Sequence, residues 1–231
     1  DEITISTRSG ADVSATVANA ATTLAGSLGE TTTVTVGVVV AMNKVATNAN
    51  AYLANTPEIR SANGVTLTAI DRATIDSETV APTIAIGAGV DGGTSVAVGV
   101  AIARNEIDNQ TQAYVNAVDT LNVSQGGLLI DVDEETVINA VSQASAIAIA
   151  ASAKNGTAVG GGGATATNVI LNRANAYIQD SDVTVEAGDV TLLTTNSAEI
   201  EALITAVAVS VALGGKSTVG VSIGVGVARN F

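Results

Sequence analysis

The side chains able to do chemistry are few, and most of them are carboxylates. The densest group is Asp131, Asp133, Glu134 and Glu135. Oxygen-rich clusters of this kind hold Ca2+, so these four acids mark where the chain could take a calcium ion. Their spacing fits no EF-hand loop, and no glycine-rich calcium nonapeptide occurs. They therefore read first as a solvated edge, and no metal, cofactor or catalytic residue is assigned. Asp180 with Asp182 is a thinner version of the same pattern. A carboxylate pair could cut a glycosidic bond, but the other acids are scattered and aromatic surface for a sugar ring is scarce. Gly160–Gly163 opens no phosphate loop, because Ala-Thr-Ala-Thr follows it instead of Lys-Ser/Thr. The sequons at Asn109, Asn122 and Asn155 reflect an Asn- and Thr-rich composition.

Composition removes most other chemistry. The 231 residues include no His, no Cys and no Trp. That excludes a Ser–His triad, a cysteine nucleophile, an imidazole or thiolate metal site and a disulfide. With 22 Asp+Glu against 9 Lys+Arg, the net charge is -13, and aromatic residues make up 2% of the chain. A nucleic-acid partner is not expected, since both the basic footprint and the stacking platform are missing. No basic segment leading into an apolar one opens the chain, so no signal peptide is expected in it. The longest apolar run, Ala202 to Gly215, is shorter than the ~20 residues of a spanning helix. A membrane-inserting strand stays open as the lesser expectation.

The elements that must position these groups repeat. Asn43, Asn105, Asn168 and Asn230 each close an apolar run, spaced 62, 63 and 62 residues apart. Nine residues after the first three come Tyr52, Tyr114 and Tyr177, each preceded two residues earlier by Asn50, Gln112 or Asn175. Ile3, Val65, Leu128 and Val190 begin a second set of matching triplets at the same steps. Glycine-bearing turns are expected at Gly92-Gly93, Asn155-Gly156 and Gly214-Gly215. The organisation expected is a single repeat array: a partial unit over 1–29, units over 30–91, 92–154 and 155–216, and a partial unit over 217–231. The frame reads as a segment cut from a longer array.

Within a unit the hydrophobic period is two, which signals strand. Val34, Val36, Val38 and Val40 share one face, and Val96, Val98, Val100 and Ile102 repeat it. The opposite face is small rather than charged, which implies close packing against it. The valine face is taken as the core, so Val100→Asp should unfold a strand while Asp131→Asn is tolerated. Val137 to Ala153 is rich in alanine, the best helix former, yet it alternates and sits in the strand frame. The fold expected is all-β: a right-handed β-helix-like solenoid, with each unit making about three coils of roughly 20 residues. Stacked long β-hairpins are the alternative, because Val207–Leu213 and Val219–Val227 flank Gly214-Gly215. The asparagines should form a hydrogen-bonded ladder along the stack, and the tyrosines a buried packing ladder rather than an exposed stripe.

The run Asn168-Val169-Ile170, Asn175-Ala176-Tyr177-Ile178 and Asp182 through Leu192 resembles the repeat regions of large secreted bacterial surface proteins. Haemagglutinin-like adhesins and leukotoxin-type exoproteins are among them, and the likeness runs through every unit. It implies β-helical architecture and an extracellular or cell-surface location. The function it implies is a non-catalytic stalk or adhesive fibre, with a cytotoxic, membrane-engaging exoprotein as the alternative and a carbohydrate-active enzyme behind it. The partners expected are neighbouring repeats, other copies joined end to end or laterally, and a host or neighbouring cell surface. Asp131-Val132-Asp133-Glu134-Glu135 departs from the pattern by crowding acids into a strand.

Overall fold

The computed structural model describes residues 1–231 and contains fifteen strands and no helix. Every strand pairing is parallel, and each strand pairs with its own equivalent one unit away. The first sheet runs β1 (Ile3–Ala18), β6 (Val65–Gly89), β10 (Leu128–Ser152) and β14 (Val190–Leu213), with β2 (Ala21–Ser27) continuing the β1 edge. The second contains β3 (Glu30–Val45), β7 (Gly92–Ile107), β11 (Asn155–Ile170) and β15 (Ser217–Asn230). Two narrow sheets complete the circuit. One is built from β4 (Asn48–Thr56), β8 (Gln110–Val118) and β12 (Arg173–Gln179). The other is built from β5 (Ile59–Ser61), β9 (Leu121–Val123) and β13 (Val183–Val185).

The register settles the unit. Ile3 pairs with Val65, Val65 with Leu128 and Leu128 with Val190. One unit of 62 or 63 residues is thus one passage through all four sheets, not three coils of about 20. The one-residue differences fall in loops: three residues follow β5 and four follow β9. The hairpin alternative is also overturned. β6 and β7 are consecutive yet belong to different sheets, and their hydrogen bonds run to neighbouring units instead of to each other. The chain bends at Leu28-Gly29, Val90-Asp91, Ala153-Lys154 and Gly215-Lys216. Gly92-Gly93 and Asn155-Gly156 lie just past a bend and start the next strand, so only Gly214-Gly215 sits in one.

Two regions follow from what lies inside. In the trunk, the first halves of β6 and β10 and the two narrow sheets enclose Leu67, Val115, Leu121, Leu128 and Ile130, all buried. In the arm, the second halves of β6 and β10 face β7 and β11 across a core of Ala85, Ala97, Ala146, Ala148, Ala150 and Ala158. The arm gap is so narrow that hydroxyls of one sheet reach backbone carbonyls of the other. Thr35 donates to the Ile84 carbonyl at 3.1 Å and Ser95 to that of Ile149 at 2.7 Å. Glycine is required there: a Cβ on Gly99 would lie 2.7 Å from the Ala81 carbonyl oxygen and 2.8 Å from that of Ser145.

The narrow gap reverses the expected faces. Thr33, Thr35, Val39, Ala97 and Ala101 are buried, whereas Val34, Val36, Val38 and Val40 are exposed and Val100 points outward. The small face is the inside because only small groups fit between sheets this close. The larger aliphatic residues are left on the outer walls.

Candidate functional site

Strand alternation divides the acidic cluster between two faces. Asp131, Asp133 and Glu135 point outward from β10, while Glu134 points into the core and is fully buried. On the outside Arg72, one unit back, donates to Asp133 at 2.7 Å and also to Glu135. The four carboxylates therefore do not converge, and no group of three or more acid, His or Cys side chains is arranged to hold a metal. Asp180 has a different task. With Asn55 and Ala117, its equivalents in earlier units, it takes a positive φ of 48° to 52° and turns the chain out of the narrow sheet. Left-handed backbone suits Asn and Asp; Ala117 holds the same shape without that help.

What the structure brings together instead is Glu134 and Asp71. The two are register partners on adjacent strands, 63 residues apart, and both are fully buried. Flanking residues on the same inner face, Ala69 and Ala73 beside Asp71 and Val132 and Thr136 beside Glu134, are buried as well. Burial first, and then the charge of Asp71, pushes the Glu134 carboxyl up to about 7. Burial also raises Asp71, opposed by a short hydrogen bond from the Thr47 hydroxyl and one from the Arg72 backbone amide. Both oxygens of Glu134 and one of Asp71 have no hydrogen-bond partner. Removing a carboxylate from water without a partner favours the neutral acid, so Glu134 keeps its proton up to about pH 7, where an exposed glutamate has already lost it.

This pair was readable from the sequence only by combining two signals. The 63-residue step aligns position 71 with 134, and the period of two places both inward. Neither residue stands out alone, because Glu134 is hidden among its three outward neighbours. Asn109 lies on the wall opposite. Its amide oxygen accepts the Thr47 backbone N–H at 3.1 Å, and it is fully buried, so its sequon is closed to modification in the folded chain.

The asparagine ladder is present along the stack. Asn43 donates to Asn105 at 2.8 Å, Asn105 to Asn168 at 2.8 Å and Asn168 to Asn230 at 3.0 Å. Each side-chain amide offers one donor and one acceptor along the axis, so the chain of bonds satisfies itself at every step. The tyrosines stack face to face, with ring centroids 5.1 Å apart for Tyr52 and Tyr114 and 4.8 Å apart for Tyr114 and Tyr177. Their place differs from expectation: they lie on the outer wall, Tyr52 half exposed, while Ala51 and Ala113 fill the inside. Partial burial, with the neighbouring phenols adding to it, pushes the Tyr114 phenol above its ordinary value. Because each ring covers the next, the stripe presents edges to solvent instead of the open faces a sugar would stack on.

Gly160–Gly163 divides in the same alternating way. Gly160 and Gly162 face the opposite sheet, where a Cβ on Gly162 would come within 2.8 Å of the Val207 carbonyl oxygen. Gly163 faces solvent with nothing within 4 Å of an added Cβ. No family model, curated protein or solved structure matches the chain.

Proposed function

We propose that the chain is a β-solenoid segment, right-handed by the general preference of parallel crossovers, that serves as a non-catalytic stalk or adhesive fibre of a large extracellular bacterial surface protein. The observation that carries this reading is the pairing of every strand with its own equivalent one unit away, with no change of partner from the first unit to the last. Such stacking gives an axial rod in which each unit adds one strand spacing, ~4.8 Å, per 62 or 63 residues. The Asn43-to-Asn230 hydrogen bonds and the Tyr52–Tyr114–Tyr177 stack run along that axis. They stiffen the rod against bending while doing no chemistry of their own. A net charge of -13 keeps a long rod soluble.

Extending the array tests the reading. Duplicating residues 92–154 in frame should lengthen the folded particle by one strand spacing, with cooperative unfolding retained and stability raised, as in other stacked repeats. Unfolding of the inserted unit on its own, or a globular change in small-angle scattering, would count against it. Display on a cell surface is the functional half of the proposal. Cells presenting the chain should adhere to a neighbouring cell layer more than cells presenting a length-matched unrelated rod; equal adherence leaves stalk, not adhesive, as the reading.

A membrane-engaging exoprotein is the second reading, favoured by one observation: the arm carries Val36, Val38, Ile84 and Ile86 on its outer walls. Leakage of dye from liposomes exposed to the chain would support it.

A further inference from the structure

Asp71 and Glu134 are the only ionisable side chains in the core, and no lysine or arginine is buried with them. As register partners on parallel strands they start one strand spacing apart, ~4.8 Å. Two like charges that close, inside a dry core, call for a cation between them.

The wall opposite supplies more oxygen. Ala113 of β8 belongs to one packed cluster with Ala69 and Val132, the inward neighbours of Asp71 and Glu134. Four residues before Ala113, the Asn109 amide oxygen accepts the Thr47 backbone N–H, and the Thr47 hydroxyl donates to Asp71. One unit along, Asn172 donates to the hydroxyl of Thr136, the inward residue after Glu134, at 2.8 Å. Thr111 falls between these ties and Ala113, which sets it opposite the two carboxyls. It is fully buried, and its hydroxyl oxygen has no hydrogen-bond partner.

The unpartnered atoms here are mostly acceptors. Asp71 Oδ1, Glu134 Oε1 and Oε2, Thr111 Oγ1 and Asn172 Oδ1 are shut off from solvent with nothing bonded to them. The one unpartnered nitrogen beside them is Asn109 Nδ2. Further hydrogen bonds among these groups cannot satisfy so many oxygens, whereas a hard cation can.

We propose that this oxygen-lined part of the trunk binds one calcium ion, held by Asp71 and Glu134 with Thr111 and Asn172 completing the set. Two carboxylates balance the charge of a divalent ion, and neutral oxygens supply the remaining ligands. With oxygen as the sole donor type, the site suits calcium or magnesium and not zinc or copper. Calcium is the better fit, because magnesium gives up its water reluctantly and demands a strict octahedron. The ion takes the place of the Glu134 proton, which leaves to solvent. It ties β6 and β10 to the opposite wall. Asp131, Asp133 and Glu135 lie on the outer face and take no part. The site rests on the register of β6 with β10 and not on the stalk or adhesive reading, so failure of either leaves the other standing.

The calcium content of the full chain tests the proposal. Walls close the site, so the ion is loaded by refolding from urea in CaCl2 at pH 8, above the value of about 7 to which Glu134 is pushed. After gel filtration, atomic emission should find one calcium per chain. The thermal midpoint should lie above that of chain refolded in EGTA. Asp71→Asn and Glu134→Gln should each lose the ion. Thr111→Val keeps both carboxylates and the shape of the side chain; it should weaken binding about tenfold or more in chelator competition, with an unchanged circular dichroism spectrum. The triple variant Asp131→Asn/Asp133→Asn/Glu135→Gln should keep the ion. A chain that retains no calcium, or equal retention in Glu134→Gln, would overturn the site. Loss in the triple variant alone would place the ion on the outer wall instead. Unchanged affinity in Thr111→Val would overturn the part given to the opposite wall, and magnesium held in preference to calcium would overturn the identity of the ion.

Discussion

The trunk and the arm are made by the same strands, yet they are built on opposite rules. In the trunk, β6 and β10 carry Leu67, Ile75, Ile130 and Ile138 inward and charged residues such as Arg72, Asp76 and Glu135 outward. In the arm, the same two strands turn Ala85, Ala146, Ala148 and Ala150 inward and Ile84, Ile86, Ile147 and Ile149 outward. The difference is the distance to the opposing wall. Four walls enclose a space wide enough for leucine, whereas two facing sheets in the arm approach until hydroxyls touch carbonyls. Stability comes from aliphatic burial in the trunk. In the arm it comes from close backbone approach, dispersion and cross-sheet hydrogen bonds.

The sharpest way to break this contrast is a pair of neighbouring substitutions. Ala101→Asp puts an unpaired charge between the arm sheets and should abolish cooperative folding. Val100→Asp falls on the half-buried outer wall and should cost far less than Ala101→Asp, leaving cooperative folding intact. Equal loss of stability in denaturant titrations of the two would show that the arm has no inside and outside of this kind. Next in size, Leu67→Ala should cost about 2–5 kcal/mol, because the trunk is packed and the cavity cannot collapse. Its midpoint in urea measures this directly.

A third test concerns the buried carboxyl pair of the trunk, Asp71 and Glu134. Glu134 titrates near 7 when folded and near 4.5 when unfolded, so the folded state binds its proton more tightly. The resulting stability is fully present below pH 4.5 and is lost as pH rises through about 7. Its size is about 3 kcal/mol at most. Glu134→Gln should flatten the dependence of the thermal midpoint between about pH 5 and pH 8, and an undiminished slope would show that other groups cause it. The smallest effect belongs to the arm's outer wall. Gly163→Val fills open space on a strand and should stabilise by a few tenths to about 1 kcal/mol. Gly162→Val, one residue away, should destabilise instead because its Cβ meets a backbone carbonyl.

Much of the candidate site was legible in the spacing of residues along the chain. The 62- and 63-residue steps give Asn43, Asn105, Asn168 and Asn230 their partners, and hydrogen-bond geometry then follows from amide chemistry. The tyrosine stack was legible in the same way, but its side of the wall was not, since a tyrosine suits either surface. The Asp131–Glu135 cluster misled because adjacent residues on a strand point apart. Its members cannot share a ligand, and the pairing that matters, Asp71 with Glu134, is separated by a whole unit.

By itself, the sequence determined the strand period, the repeat length and which residues share a column, because these depend only on spacing along the chain. It also excluded histidine and cysteine chemistry through composition. The tertiary structure alone decided how many passages one unit makes and which of two uncharged faces lies inside. A period of two is indifferent to that choice when neither face is charged. What settles it is the separation of the opposing sheets, a property of how the units stack and of no single segment.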